Sequence, residues 1–126
     1  MNLLVVEDVE PMRELISVLA RQALGKLVLE GRVDSAARLA DARRLLARHR
    51  PDLALLDITL GLESGLDLLA ELKEARVPVV ILVMDLPPLE RPLPKGAYQW
   101  FVKPAGRSGA EDLERFCQLI CKHRSG

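Results

Sequence analysis

Residues 53–57, Leu53-Ala54-Leu55-Leu56-Asp57, are a short apolar run that ends abruptly in a carboxylate. Arg50-Pro51-Asp52 precede the run and a glycine-bearing turn follows it, so it reads as a strand buried on both faces. Asp57 then stands where the chain leaves the core. In open parallel sheets, ligands and chemistry gather at the carboxyl ends of the strands. What the other strands deliver to that edge therefore decides what the molecule can do.

Towards the N-terminus, Leu3-Leu4-Val5-Val6 is a second apolar run, and it too ends in acid, Glu7-Asp8. Pro11 suits a first helical turn. Met12, Leu15, Ile16, Leu19 and Ala23 then recur at helical spacing up to Leu24-Gly25, where glycine suits a helix C-terminus. Two stretches compete for the next strand, Leu27-Val28-Leu29 and residues 31–36, and the later one is favoured. Ala42, Leu45, Leu46 and His49 give a second helix that Pro51 ends. His49 is expected at its surface or boundary, where positive charge is favourable.

Beyond Asp57, the turn over residues 58–63 leads to Ser64-Gly65-Leu66-Asp67, which resembles a capping box with Asp in the Glu place. Leu68, Leu69 and Leu72 make the buried stripe of a third helix. Residues 78–83 (Pro78-Val79-Val80-Ile81-Leu82-Val83) read as another strand. The pattern then breaks, because Pro87, Pro88, Pro92 and Pro94 fall within eight positions. An interior proline costs a helix about 3 kcal/mol, so no regular helix is expected there. Residues 98–102 read as a last strand, stopping at Lys103-Pro104. Ser108 and Glu111 form a capping box for a final helix whose stripe is Leu113, Phe116, Cys117 and Ile120.

Alternating strands and helices imply a parallel sheet with right-handed crossovers. The expected fold is α/β: a flavodoxin-like, doubly wound, five-stranded parallel sheet of order 2-1-3-4-5, with the fourth helix degraded or missing. Residues 1–126 are expected to form a single domain. No glycine-rich phosphate loop of P-loop or dinucleotide type is present, so the sheet is not set up to read a nucleotide in the usual way.

Composition excludes several function classes. Eighteen basic residues balance eighteen acidic ones, which gives no reason to expect nucleic acid or an anionic membrane as a direct partner. No apolar run reaches membrane-spanning length and no signal peptide appears, so a cytoplasmic location is expected. Cys117 and Cys121, four apart on the last helix, read as small core residues rather than a redox pair. His123 has no further ligand at hand for a metal.

Three strands end in charge: Glu7 and Asp8 after the first, Asp57 after the third, Lys103 after the fifth. Strands one and three are neighbours in the expected order, so their acids crowd one pocket. Clustered carboxylates repel unless a cation is present, and oxygen ligands of this kind suit Mg²⁺.

In the order and spacing of Leu3–Asp8, Pro51–Asp57, Gly65, Gly96-Ala97 and Lys103-Pro104, the chain resembles the receiver domains of two-component response regulators over nearly its full length. That resemblance implies a phosphorelay receiver that accepts a phosphoryl group on Asp57 from a phosphohistidine donor, on a sensor histidine kinase or a phosphotransfer protein. It also implies Mg²⁺ as cofactor, held by Asp8, Asp57 and the Thr59 backbone carbonyl, with Glu7 acting through water. Lys103 would pair with the phosphoryl group. Output would pass through protein contacts to a downstream effector, with room for a homodimer. No enzymatic activity beyond self-phosphoryl acceptance and autodephosphorylation is implied.

The chain departs from the family pattern on the output side. Val83 stands where the family places Ser or Thr, and Met84 where a very small residue is usual. The missing hydroxyl removes a hydrogen bond to a charged group, typically worth ~1.5–3 kcal/mol. Trp100 takes the aromatic switch position, and the proline segment falls where a signalling helix belongs. Two other readings therefore stand beside the first: a degenerate receiver that binds protein independently of phosphorylation, and a small phosphohydrolase with Asp57 as nucleophile. The latter class usually needs an acid two residues after the nucleophile, where this chain has Thr59.

Overall fold

The computed structural model describes residues 1–105 and 109–124. In chain order its elements are β1 (Leu3–Val6), α1 (Glu10–Lys26), β2 (Val33–Ala36), α2 (Leu39–Arg48), β3 (Leu53–Leu56), a hairpin of β4 (Thr59–Leu60) and β5 (Glu63–Ser64), α3 (Leu66–Glu74), β6 (Val79–Val83), β7 (Gln99–Val102) and α4 (Gly109–His123). The main sheet is wholly parallel, with order β2-β1-β3-β6-β7. Counting only its five strands, this is the 2-1-3-4-5 order expected from the sequence. Among the described residues there are four helices, and none joins β6 to β7.

Period-two alternation along each strand divides the core into two layers. Leu3, Val5, Leu53, Leu55, Val80, Leu82 and Phe101 face α1 and α4. Leu4, Val6, Ala54, Leu56, Val79 and Ile81 face α2 and α3. Every residue of β1 and β3 is buried, as expected for strands covered on both sides. Full burial of each such Leu or Val is worth about 1.5–3 kcal/mol.

The second layer is incomplete. Between β6 and β7 the prolines leave only turns, closed by the Arg91 N–H to the Pro88 carbonyl at 2.9 Å and the Ala97 N–H to the Pro94 carbonyl at 3.0 Å. Met84, Leu86 and Leu89 are exposed along this segment. Trp100 and Val83 are only partly buried on the face that a helix would otherwise cover. At the outer edge of the sheet, α4 leans over β7. Arg115 donates to the Val102 carbonyl and lies 4.5 Å over the Phe101 ring, and Lys122 donates to Gln99 Oε1 at 2.9 Å.

Several local expectations need correction. Helix α1 runs past Gly25 to Lys26, and Val28 (φ 54°) rather than glycine takes the left-handed terminating position. The Val28 N–H bonds the Gly25 carbonyl and the Leu29 N–H bonds the Leu24 carbonyl, the pairing that satisfies the last carbonyls of a helix. This turn absorbs Leu27-Val28-Leu29, so Val33–Ala36 is the strand, as favoured.

Residues 59–64 fold into a hairpin rather than a plain turn. Ser64 therefore belongs to β5 and Gly65 is the N-cap of α3. Ser64 Oγ accepts from the Leu66 N–H at 3.2 Å in place of the expected capping box. Cys117 is buried but Cys121 is exposed, so only the first is a core residue. Ser108, half of the capping box expected for α4, lies outside the described residues.

Gly65 sets the approach of α3 to the end of β3. A Cβ there would lie 2.6 Å from the Asp57 carbonyl oxygen and 2.8 Å from Ile58 Cα, both backbone atoms that cannot swing aside. Gly65→Ala is expected to destabilise the fold by about 1–3 kcal/mol in urea unfolding. Gly25→Ala, with nothing within 4 Å of the added methyl, should stabilise α1 by roughly 1 kcal/mol. Equal stability of Gly65→Ala and wild type would refute the close approach.

Candidate functional site

Strand register assembles the site. Val6 pairs with Leu56, and the Asp57 N–H extends the ladder to the Val6 carbonyl at 3.0 Å, so Glu7 and Asp57 leave adjacent strands side by side. Val83 pairs with Val102, and the Lys103 N–H bonds the Val83 carbonyl at 2.8 Å, which starts Lys103 at the same edge. Its ammonium Nζ lies 2.7 Å from Asp57 Oδ2 and 2.6 Å from Glu7 Oε1. Asp57 Oδ1 accepts from the Thr59 N–H at 2.8 Å. Arg13 donates to the Glu7 carbonyl at 3.0 Å and fixes the turn that carries both acids.

Asp57 and Glu7 are buried, at 7% and 0% exposure. The end of β3 therefore lies inside the core edge, with Lys103 packed against Asp57. Burial pushes the Glu7 carboxyl above its ordinary range. The Lys103 ammonium pulls it the other way, and Asp57 adds to the rise. Burial also works against the Lys103 ammonium, but its contacts with Asp57 and Glu7 outweigh that and raise its pKa. The stabilisation from Lys103 is thus fully present below its ordinary value of 10.5 and is lost only as pH climbs through the raised one.

The acids are arranged for a cation. Glu7, Asp8 and Asp57 each offer a carboxylate oxygen within 4.8 Å of the others, and no other such group of His, Cys, Asp and Glu occurs among the described residues. Glu7 Oε1 is paired with the Lys103 ammonium at 2.6 Å, and a carboxylate oxygen has a further lone pair to offer a cation. Hard carboxylate oxygens on a partly hydrated edge fit Mg²⁺, which prefers a few such ligands and retains water. Thr59 lines the same cleft, of about 660 Å³, together with Val83, Met84 and Trp100. All of the site residues expected from the sequence therefore gather in one place.

Sequence reading missed two residues of this region, Arg13 and Arg91. Arg91 lines the cleft and its guanidinium lies 5.6 Å over the Trp100 ring. It stands inside a segment whose only sequence signal was the run of prolines. Gly61, the glycine of the turn after β3, opens the two-residue loop of the β4–β5 hairpin at φ 60°, where such a turn calls for glycine.

Removing the ammonium would leave two buried carboxylates facing each other. Lys103→Met is expected to lose about 3–5 kcal/mol of stability near neutral pH in the presence of EDTA. The deficit should shrink in acid, because a protonated carboxyl needs no counter-ion, and millimolar Mg²⁺ should restore part of it. A urea-unfolding deficit that changes with neither pH nor Mg²⁺ would refute this account of the site.

Comparisons with known proteins agree with the geometry. A family profile described as the response regulator receiver domain matches residues 3–113. Response regulator protein PilR of Pseudomonas aeruginosa is 33% identical over 121 residues, which is 93% of this chain and 24% of PilR. The chain thus spans about a quarter of that relative's length. Among solved structures, chemotaxis protein CheY4 of Vibrio cholerae superposes with a TM-score of 0.70 at 21% identity, over 94% of this chain and 97% of that one. A chain of the complex between histidine kinase ThkA and response regulator protein TrrA superposes with a TM-score of 0.65 at 20% identity, over 91% and 97%. The acidic trio is the Mg²⁺-binding signature of such domains. On the matched profile and the PilR relationship, the chain belongs to the response regulator receiver domain family.

Proposed function

We propose that residues 1–126 act as one cytoplasmic receiver unit that accepts a phosphoryl group on Asp57 from a phosphohistidine and signals by protein contact. The observation that carries this reading is the Lys103 ammonium held 2.7 Å from Asp57 and 2.6 Å from Glu7, beside Asp8. The donor is a sensor histidine kinase or a phosphotransfer protein. The ThkA–TrrA complex supports that partner class. Among the described residues no helix is long and apolar enough to cross a membrane.

In the transfer, a carboxylate oxygen of Asp57 attacks phosphorus. The new P–O bond forms as the donor's P–N bond breaks, and the electron pair of that bond stays on the imidazole nitrogen, which then takes a proton. Asp8, Asp57 and the Thr59 carbonyl would hold Mg²⁺, with Glu7 behind them through water. The metal would neutralise charge on the transferring oxygens. Lys103 pairs with the phosphoryl group as Asp57 gives up its own charge. The Thr59 N–H, already on Asp57 Oδ1, keeps the carboxylate oriented for attack.

A second reading is favoured by two features. Val83 offers no hydroxyl to the cleft, and the β6–β7 segment exposes Met84, Leu86 and Leu89 instead of a helix. These support a module that binds a protein partner whatever the state of Asp57.

Incubation with Mg²⁺ and acetyl phosphate should add one phosphoryl group by intact mass, and Asp57→Asn should abolish it. Absence of any adduct in the wild type would overturn the receiver reading. A partner captured equally by wild type and Asp57→Asn, with or without acetyl phosphate, would favour the second.

A further inference from the structure

The charged lining of the Asp57 cleft consists of Asp8, Asp57, Asp85, Arg91 and Lys103. Lys103 is already shared between Glu7 and Asp57. With a divalent cation at the acidic trio, three carboxylates face a dication and an ammonium, and the charges balance. Converting Asp57 to its acyl phosphate exchanges one negative charge for about two. The loaded site then carries an excess negative charge, and Asp85 on the same rim adds to it. Val83, at the end of β6, has no donor to offer.

Arg91 is the remaining cation of the cleft. Among the described residues no carboxylate lies within ion-pair distance of it, and its contact there is the Trp100 ring at 5.6 Å. Its backbone is set by the turn to Pro88, and prolines 87, 88 and 92 restrict the chain around it. A guanidinium presents a planar fork of donors suited to phosphoryl oxygens, and an exposed cation–π contact is weak enough to exchange for them.

We infer that Arg91 is the phosphoryl-binding donor of this cleft and replaces the hydroxyl that Val83 lacks. On loading of Asp57 its guanidinium leaves the Trp100 ring, pairs with the phosphoryl oxygens and draws the proline segment over the site. The inference rests on Asp57 being the acceptor. It assigns the β6–β7 segment a defined part in the response of the site.

The test uses the full chain with Mg²⁺ and beryllofluoride, a phosphoryl mimic, and follows Trp100, the sole tryptophan, by its fluorescence. Acetyl phosphate with intact mass reports acceptance on Asp57 separately. Wild type should change its emission on loading as the indole loses its cation. Arg91→Ala should bind beryllofluoride roughly tenfold more weakly by calorimetry, lack that emission change, and gain its phosphoryl group from acetyl phosphate more slowly. Arg91→Lys, which keeps the charge but not the fork, should fall between the two. Arg91→Ala matching wild type in affinity and emission change would overturn the role of Arg91. A wild type that gains no phosphoryl group and binds no beryllofluoride would overturn the Asp57 reading and this inference with it.

Discussion

One ammonium buried between two carboxylates holds the working edge of this molecule together. Lys103 reaches from the end of β7, across the end of β6, to Asp57 on β3 and Glu7 on β1. A buried ion pair seldom adds stability beyond an apolar replacement, but breaking one is costly. The interaction therefore acts as a constraint on geometry. It joins the edge strand to the centre of the sheet and sets two acids against each other at close range. It also leaves that edge in electrostatic tension, with the Glu7 carboxyl raised by burial and the Lys103 ammonium raised by its two partners.

Much of the fold was legible because each central strand is buried on both faces. Such strands appear as unbroken apolar runs, and in β1 and β3 the run stops where the chain reaches the chemical edge. The alternation of strands and helices then settles the order of the sheet. What could not be read was decided by tertiary or local backbone context. Val28 terminates α1 because the Schellman pairing with Leu24 and Gly25 outweighs the strain of a β-branched residue in the left-handed region. The hairpin of residues 59–64 is only two residues per strand, too short for its alternation to register. The burial of Asp57 follows from the position of Lys103 over it, forty-six residues away in sequence.

The site itself shows a division of the same kind. Glu7, Asp8, Asp57 and Lys103 could be found because each ends a strand, so a one-dimensional pattern points to a three-dimensional cluster. Arg91 could not, because irregular chain has no periodicity to project. The proline segment removes the covering helix and in the same stroke gives Arg91 access to the face of Trp100. The part of the sequence that looks most degraded is therefore the part that builds a new wall of the cleft.

The outer edge of β7 has a consequence of its own. An edge strand presents unpaired backbone groups on which another chain can polymerise. Here Arg115 occupies the Val102 carbonyl at one end of the strand and Lys122 holds Gln99 at the other. A strand arriving from another molecule would have to displace Arg115 before it reached the Val102 carbonyl. The last helix thus guards one end of that edge. Beside that edge the proline segment brings Leu86 into one groove with Trp100, Arg115 and Lys122, and it leaves Met84 and Leu89 uncovered.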